Sequence, residues 1–186
     1  MIGDNETGFR GTNDLPYRVE AWAFLLAGGG LYNNLDYSFA AGHEDGSFVY
    51  PSTQPGGGNP AFRRQLRTLR DFLYSFDFIQ MRPDHTLIKS GLPSGMLGYA
   101  LARPGAAYAL YLGPAVRKNN EKEPGASPGK IGEIVLKIPD GSYTAQWLDP
   151  LTGQKHREEE VQAAAGTLTL RAPAYQEDLA LSLKRR

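Results

Sequence analysis

The chain has 186 residues, which suits one large domain or two small ones. Its 20 basic and 20 acidic side chains give a formal charge of zero, so no net field draws it to nucleic acid or to a membrane surface. It has no cysteine, which excludes disulfides and thiolate metal sites, while a hydrophobic share of 41% and an aromatic share of 11% suffice for a real core.

The opening MIGDNETGF lacks the basic start and apolar run of a signal peptide. No segment approaches the roughly 18–20 apolar residues of a membrane-spanning helix, so the chain reads as soluble and its compartment stays open. Asp4-Asn5-Glu6-Thr7-Gly8 reads as the polar C-terminal end of a strand entering a loop. In GTNDLPYRVEAW, Asn13 or Asp14 can cap a helix and Pro16 suits its first turn. Val19, Trp22, Ala23 and Leu26 fall on one helical stripe, widened by Phe24 and Leu25, which predicts a largely buried helix over about 15–28. Gly28-Gly29-Gly30 ends it.

Residues 31–39 then alternate. Leu31, Asn33, Leu35, Tyr37 and Phe39 share one face, with Tyr32, Asn34, Asp36 and Ser38 on the other, which predicts a strand running into a His-Glu-Asp-Gly loop. Helix, glycines and strand in that order form the returning half of an α/β unit, and parallel α/β folds keep their chemistry at the C-terminal ends of the strands. A long loop over 40–59 closes on Pro55-Gly56-Gly57-Gly58-Asn59-Pro60. Asn59 caps a second helix, in which Phe62, Leu66, Leu69, Leu73 and Phe76 keep helical spacing to about 78 and Arg63, Arg64, Arg67 and Arg70 take the solvent side. Residues 1–80 thus read strand end, helix, strand, helix. Two parallel strands alone would leave open edges and a bare second face.

From about residue 86 the period changes to two. Strands are predicted over 96–102, 106–112, 133–138, 142–149, 153–160, 167–171 and 178–184, with a tight turn at Asp149-Pro150-Leu151-Thr152-Gly153. About seven short strands in roughly 100 residues is the pattern of an antiparallel sandwich. The polar, Gly/Pro-rich excursion over 113–131 is expected to be a mobile loop.

Five groups of residues could carry chemistry. Glu6, a carboxylate at a strand's end, reads as a nucleophile or general acid, or as a loop acid that caps the coming turn. His43-Glu44-Asp45 lacks metal-ligand spacing, since three consecutive residues cannot converge on one ion; a polar loop in which His43 or Asp45 meets substrate hydroxyls is the favoured reading, with no metal. Asn33, Asn34, Asp36 and Tyr37, near Trp22 and Tyr32, offer the amide, carboxylate and aromatic mix that suits a sugar ring; the alternative is a buried polar network, and Trp22 itself reads as core. The four helix arginines lack interleaved aromatics and read as a solvated face rather than a nucleic-acid site. Tyr143, Trp147 and Tyr175 could form a sugar platform, but strand aromatics of this kind read first as core.

ETGFRGTNDLPYRVEAWAFLLAGGGLYNNLDYSF, followed by GHEDGS and the PGGGNP loop, resembles the final quarter of the (β/α)8 barrel of retaining-type glycoside hydrolases. GSYTAQWLDPLTGQ and the closing APAYQEDLALSLKR are similar to the β-sandwich attached to such barrels, a module often labelled collagen-binding-domain-like. The resemblance implies an α+β chain: a barrel remnant holding the last two β/α units over 1–82, then a β-sandwich over 83–186. It implies that Glu6 is the nucleophile at the end of barrel strand seven, that 31–39 is strand eight, and that Asn33, Asn34, Asp36, Tyr37, His43 and Asp45 face a carbohydrate substrate. It implies no cofactor, and for full-length relatives a secreted or periplasmic setting.

A barrel takes about 250 residues. Strands one to six, and the acid/base carboxylate that the resemblance places on strand four, have no counterpart here. The missing barrel portion is therefore an expected partner, and the chain alone is expected to be inactive. A non-catalytic carbohydrate-binding or structural sandwich module is the alternative. The sandwich is expected to be compact with the 60–78 helix packed on it, and strand 31–39 to be short and poorly paired.

Overall fold

The computed structural model describes residues 2–5, 9–115, 129–130 and 132–186. It is an α+β protein, mostly strands in antiparallel sheets with two α-helices among the described residues. Residues 116–128, where most of the expected mobile loop falls, lie outside the described residues, as does Glu6.

The chain starts with β1 (Gly3–Asp4) and α1 (Asp14–Leu26), then β2 (Leu31–Tyr32), which pairs with β1 in parallel. The Asn13 side chain accepts from the Leu15 amide, so the capping expected of Asn13 or Asp14 falls to Asn13. The strand predicted over 31–39 is therefore two residues long. The polar alternation beyond Tyr32 belongs to a loop whose side chains bond to one another rather than to a neighbouring strand. Helix α2 (Pro60–Tyr74) follows, capped by the Asn59 side chain on the Phe62 amide with Pro60 in the first turn. It ends four residues before the predicted 78, and Phe78–Gln80 form a separate turn of 3-10 helix.

The remaining strands are β3 (Arg82–Pro83), β4 (Ile88–Ser90), β5 (Met96–Arg103), β6 (Ala107–Pro114), β7 (Gly129–Lys130), β8 (Glu133–Lys137), β9 (Gly141–Leu148), β10 (Lys155–Ala163), β11 (Thr167–Arg171), β12 (Ala174–Tyr175) and β13 (Leu179–Arg185). A six-stranded sheet runs β10-β9-β13-β6-β5-β3, a three-stranded sheet runs β11-β8-β4, and β12 pairs with β7. All of these ladders are antiparallel. Each of the seven strands predicted beyond residue 86 is present, with ends moved by a few residues; the short β3, β4, β7 and β12 carry too little alternation to be predicted.

The central strands of the six-stranded sheet, β6 and most of β13, are buried on both faces. Leu110, Leu112, Tyr143, Trp147, Leu181 and Leu183 share one cluster with Ile134, Leu136, Leu168 and Leu170 of the smaller sheet. Tyr111, Ala109, Leu101 and Ala180 share a second cluster with Trp22, Leu26, Leu69 and Phe72 of the helices. That is why β6 is apolar at nearly every position and β13 over Leu179–Leu181: alternate residues serve two different cores. Small side chains at Ala109 and Ala180 leave room for the Trp22 indole to stack on Tyr111, with centroids 5.3 Å apart. Tyr143, Trp147 and Tyr175 are all buried core residues.

Candidate functional site

The parallel pair fixes the origin of the candidate site. Asp4 aligns with Tyr32, and one further bond, Asn33 N–H to the Asp4 carbonyl at 2.8 Å, carries the ladder past the strands. Asn33 then donates its side-chain amide to the Asn5 carbonyl at 3.2 Å. The residue after Asn5 is Glu6. Burial pushes the Asp4 carboxyl above its ordinary value.

The loop beyond Asn33 is held from within. Asn34 donates to the carbonyl of its neighbour Leu35. Asp36 accepts from the Ser38 amide at 3.0 Å and from the Ser38 hydroxyl, and its other oxygen takes Arg63 Nη1 at 2.6 Å. Arg63 also donates to Ser38 Oγ and to the Gly46 carbonyl, with its guanidinium 4.9 Å over the Phe39 ring. The expectation that Arg63 is solvated is overturned: α2 turns its first-turn arginine back onto the loop, because a loop with no strand partner needs donors from elsewhere. Asp36 is thereby a structural anchor as well as a candidate substrate residue.

Beneath Asp36 and Tyr37 runs the glycine cluster. A Cβ on Gly56 would lie 2.0 Å from the Tyr37 ring, and one on Gly58 would lie 2.3 Å from an Asp36 oxygen, at φ +106°. Only glycine fits there. Tyr37 donates its amide to Gly57, and its ring meets Tyr50 edge-on at 6.3 Å. Tyr50 donates to the Gly58 carbonyl, and its hydroxyl is raised above its ordinary value by burial and then by nearby Asp36.

His43 and Asp45 sit on an exposed turn. His43 Nδ1 lies 3.0 Å from Ser47 Oγ and its ring packs against Phe48. Asp45 accepts from the Ser47 amide at 3.0 Å, and hydrogen bonding by Ser47 lowers its carboxyl; Glu44 is lowered in the same way by backbone amides, its own and that of Gly42. Arg63, by gripping both Asp36 and Gly46, links this turn to the loop after Asn33. Among the described residues, no group of three His, Asp or Glu is placed to hold a metal ion.

A second polar assembly had no warning in the sequence reading. Arg18 of α1, 1% exposed, forks onto Asp178 (Nε to Oδ2 2.9 Å, Nη2 to Oδ1 3.1 Å) and also donates to Glu177 at 2.6 Å and Gln65 of α2 at 3.0 Å. Tyr111 donates to the same Asp178 oxygen at 2.9 Å. Burial raises the Asp178 carboxyl against the pull of Arg18, and lifts the Tyr111 hydroxyl well above its ordinary value. For Arg18, burial works against the charge, and Asp178 more than offsets it. With Gln65 of α2 and Tyr111 of β6, the fork ties both helices to the residues that lead into β13. An arginine inside a buried helical stripe was the signal available.

No protein-family model matches the chain, and no curated protein does. Solved structures do. A glycoside hydrolase of family 5 from Bacteroides vulgatus matches with a TM-score of 0.60 at 13% identity, over 100% of this chain and 40% of that one. A structure described as a glycoside hydrolase gives 0.54 at 13% identity, over 95% and 40%. A family 30 subfamily 8 xylanase from Clostridium acetobutylicum gives 0.53 at 12% identity, over 98% and 42%. The chain has a glycoside-hydrolase-like fold and spans about 40% of the length of these structures. At such identities the likeness is one of fold.

Proposed function

We propose that the chain is the C-terminal part of a glycoside hydrolase acting on O-glycosidic bonds. Residues 1–82 are then the last two β/α units of a (β/α)8 barrel and 83–186 a β-sandwich, with carbohydrate as substrate. The observation that carries this reading is the parallel β1–β2 pair. Its ends lead into Glu6 and Asn33, with helices between it and an antiparallel sheet, in a fold shared with solved glycoside hydrolases.

Glu6 is the nucleophile in this reading. Asn33, Asn34, Tyr37, His43 and Asp45 supply hydrogen bonds and an aromatic surface to the sugar, and Asp36 contributes while holding Arg63. Retaining hydrolysis needs two carboxyl groups about 5–5.5 Å apart, one attacking the anomeric carbon and one moving the proton. No residue of this chain matches the second group, which in the resemblance stands on strand four. General acid–base catalysis contributes about 10²–10⁴-fold, so the isolated chain is expected to be inert and the missing barrel portion to be its partner.

The test is complementation. The chain alone should not hydrolyse an aryl glycoside. Joined in frame to a segment supplying the first six β/α units it should, and Glu6→Gln should abolish the turnover. Turnover by the isolated chain that Glu6→Gln removes overturns the need for a partner, and a joined protein without turnover overturns the enzyme reading.

The second reading, a non-catalytic carbohydrate-binding or structural module, is favoured by the separate cluster that residues 87–183 form between the two sheets. Residues 83–186, produced alone and retained on polysaccharide, would support it.

A further inference from the structure

A groove of about 800 Å³ lies between α2 and the hairpin of β9 and β10, away from the loops that carry Asn33 and His43. One wall is a single stripe of α2 running from Ala61 past Arg64, Thr68 and Asp71 to Ser75. At about 1.5 Å per residue that stripe is about 21 Å long, room for several sugar rings end to end. The opposite wall is Gln146 and Leu148 of β9, the turn at Leu151, and Lys155 of β10.

The stripe is small and polar because α2 spends its apolar side elsewhere: Leu69, Phe72 and Leu73 pack in the cluster shared with α1. The turn comes close to α2, where a Cβ built on Gly153 would lie 3.2 Å from the Thr68 hydroxyl, and at the helix C-terminus Lys184 Nζ of β13 donates to the Ser75 carbonyl at 2.5 Å.

The lining is biased in charge. Arg64, Arg67 and Lys155 are cationic, and Asp71 supplies the opposing charge, which Arg70 takes at 2.7 Å and Arg67 at 3.6 Å. Glu158, bonded to Gln146, adds one more acid at the margin. Arg64 and Lys155 are exposed, one on each wall. Burial lowers the Lys184 ammonium and the nearby Lys155 charge lowers it further, in line with a positive field at this end. Phe72 of α2 and Leu148 of β9 add apolar surface to the two walls.

We propose that this groove binds a carboxylate-bearing saccharide, a chain containing uronic acid units. Arg64 and Lys155 grip carboxylates from the two walls, while Thr68 and Gln146 bond to ring hydroxyls. Apolar C–H faces of the rings lie on Leu148 and the edge of Phe72. Nucleic acid fits less well, because no exposed aromatic ring lines the groove for bases to stack on. The choice of a saccharide among polyanions rests on the carbohydrate reading above, but the site does not involve Glu6, so the two proposals fail separately.

The experiment is affinity electrophoresis of the full chain in native gels cast with polygalacturonate, with a neutral β-glucan, or with single-stranded DNA. Polygalacturonate should retard the chain, and the neutral glucan and DNA should not. Arg64→Ala with Lys155→Ala should weaken the retardation by about tenfold or more, since each removes a charged hydrogen-bond donor. Arg64→Lys should retain most of it. Unchanged thermal melting of these surface variants shows that they fold. No retardation by polygalacturonate, retardation untouched by the double variant, or equal retardation by DNA overturns the proposal.

Discussion

In the antiparallel half, β5 and β6 pair residue for residue from Met96↔Pro114 to Arg103↔Ala107, and β9 is flanked by β10 and β13. In the helical half the parallel ladder among the described residues is two residues long, Gly3 on Leu31 and Asp4 on Tyr32. The first half answers its backbone groups with neighbouring strands, whose side chains then need only be apolar and alternate. The loops of the second answer part of theirs with individual side chains: Arg63 on Gly46, Tyr50 on Gly58, Asn33 on Asn5. Exposed apolar residues mark the same contrast. Ile2 is 73% exposed and Leu31 55%, beside that short ladder, whereas Leu110, Leu112, Leu181 and Leu183 in the middle of the larger sheet are at most 1% exposed. A ladder spreads its energy over many equivalent bonds, while side-chain clamps concentrate it in a few, so substitutions should hurt the two halves differently.

The largest expected effect is at the joint between them. Arg18→Met strands Asp178 as a buried, unpaired carboxylate and should cost about 3–5 kcal/mol in urea unfolding. Adding Asp178→Leu should recover much of that loss. A single substitution that costs little would mean the two halves hold together through their apolar cluster alone.

Gly58→Ala should cost about 1–3 kcal/mol, because the new methyl meets Asp36 at a backbone angle that alanine resists. Hydrogen exchange should rise over 36–58 and stay unchanged in β5 and β6. Rising exchange in the sheet would erase the distinction between clamp and ladder.

Arg63→Ala removes a half-exposed ion pair together with two further hydrogen bonds, worth about 1 kcal/mol after solvent screening. It should loosen the turn carrying His43 and Asp45, seen as faster amide exchange at Gly46 and Ser47. Arg63→Lys should restore only part of it, since an ammonium cannot fork across Asp36 and Gly46.

The smallest effect is in pH. The Asp45 carboxyl is lowered by Ser47. A folded value below the unfolded one means that its contribution is present above the unfolded value of about 4 and is lost as pH falls through the folded value. Carbon-13 titration of Asp45 should therefore show a midpoint below the ordinary aspartate range. Ser47→Ala should move it back up.

Much of the fold was legible. Asn13, Asn59, Pro60 and the period of their helices located α1 and α2, and short apolar or alternating runs between turn residues located the seven longer strands. The strand at 31–39 is as short as expected, Leu31–Tyr32, and the alternation runs on past it because a loop anchored by Asp36 and Ser38 on one side can show the same pattern as a strand. Of the candidate site, the residue types were visible but their duties were not. Nothing local tells Arg63, which reaches back to Asp36, from Arg64, which faces a groove one residue later.

Sequence alone settled the Asn59 cap, the glycines that end α1, the absence of disulfides and the change of period near residue 86, because each depends on composition or on neighbours a few positions away. The tertiary structure decided that one sheet would serve two cores, that Arg18 would meet Asp178 across 160 residues, and that Gly56 and Gly58 would lie against Tyr37 and Asp36. Those outcomes depend on which surfaces meet after collapse, where a buried charge must find its partner and a backbone its clearance. No short-range pattern carries that information.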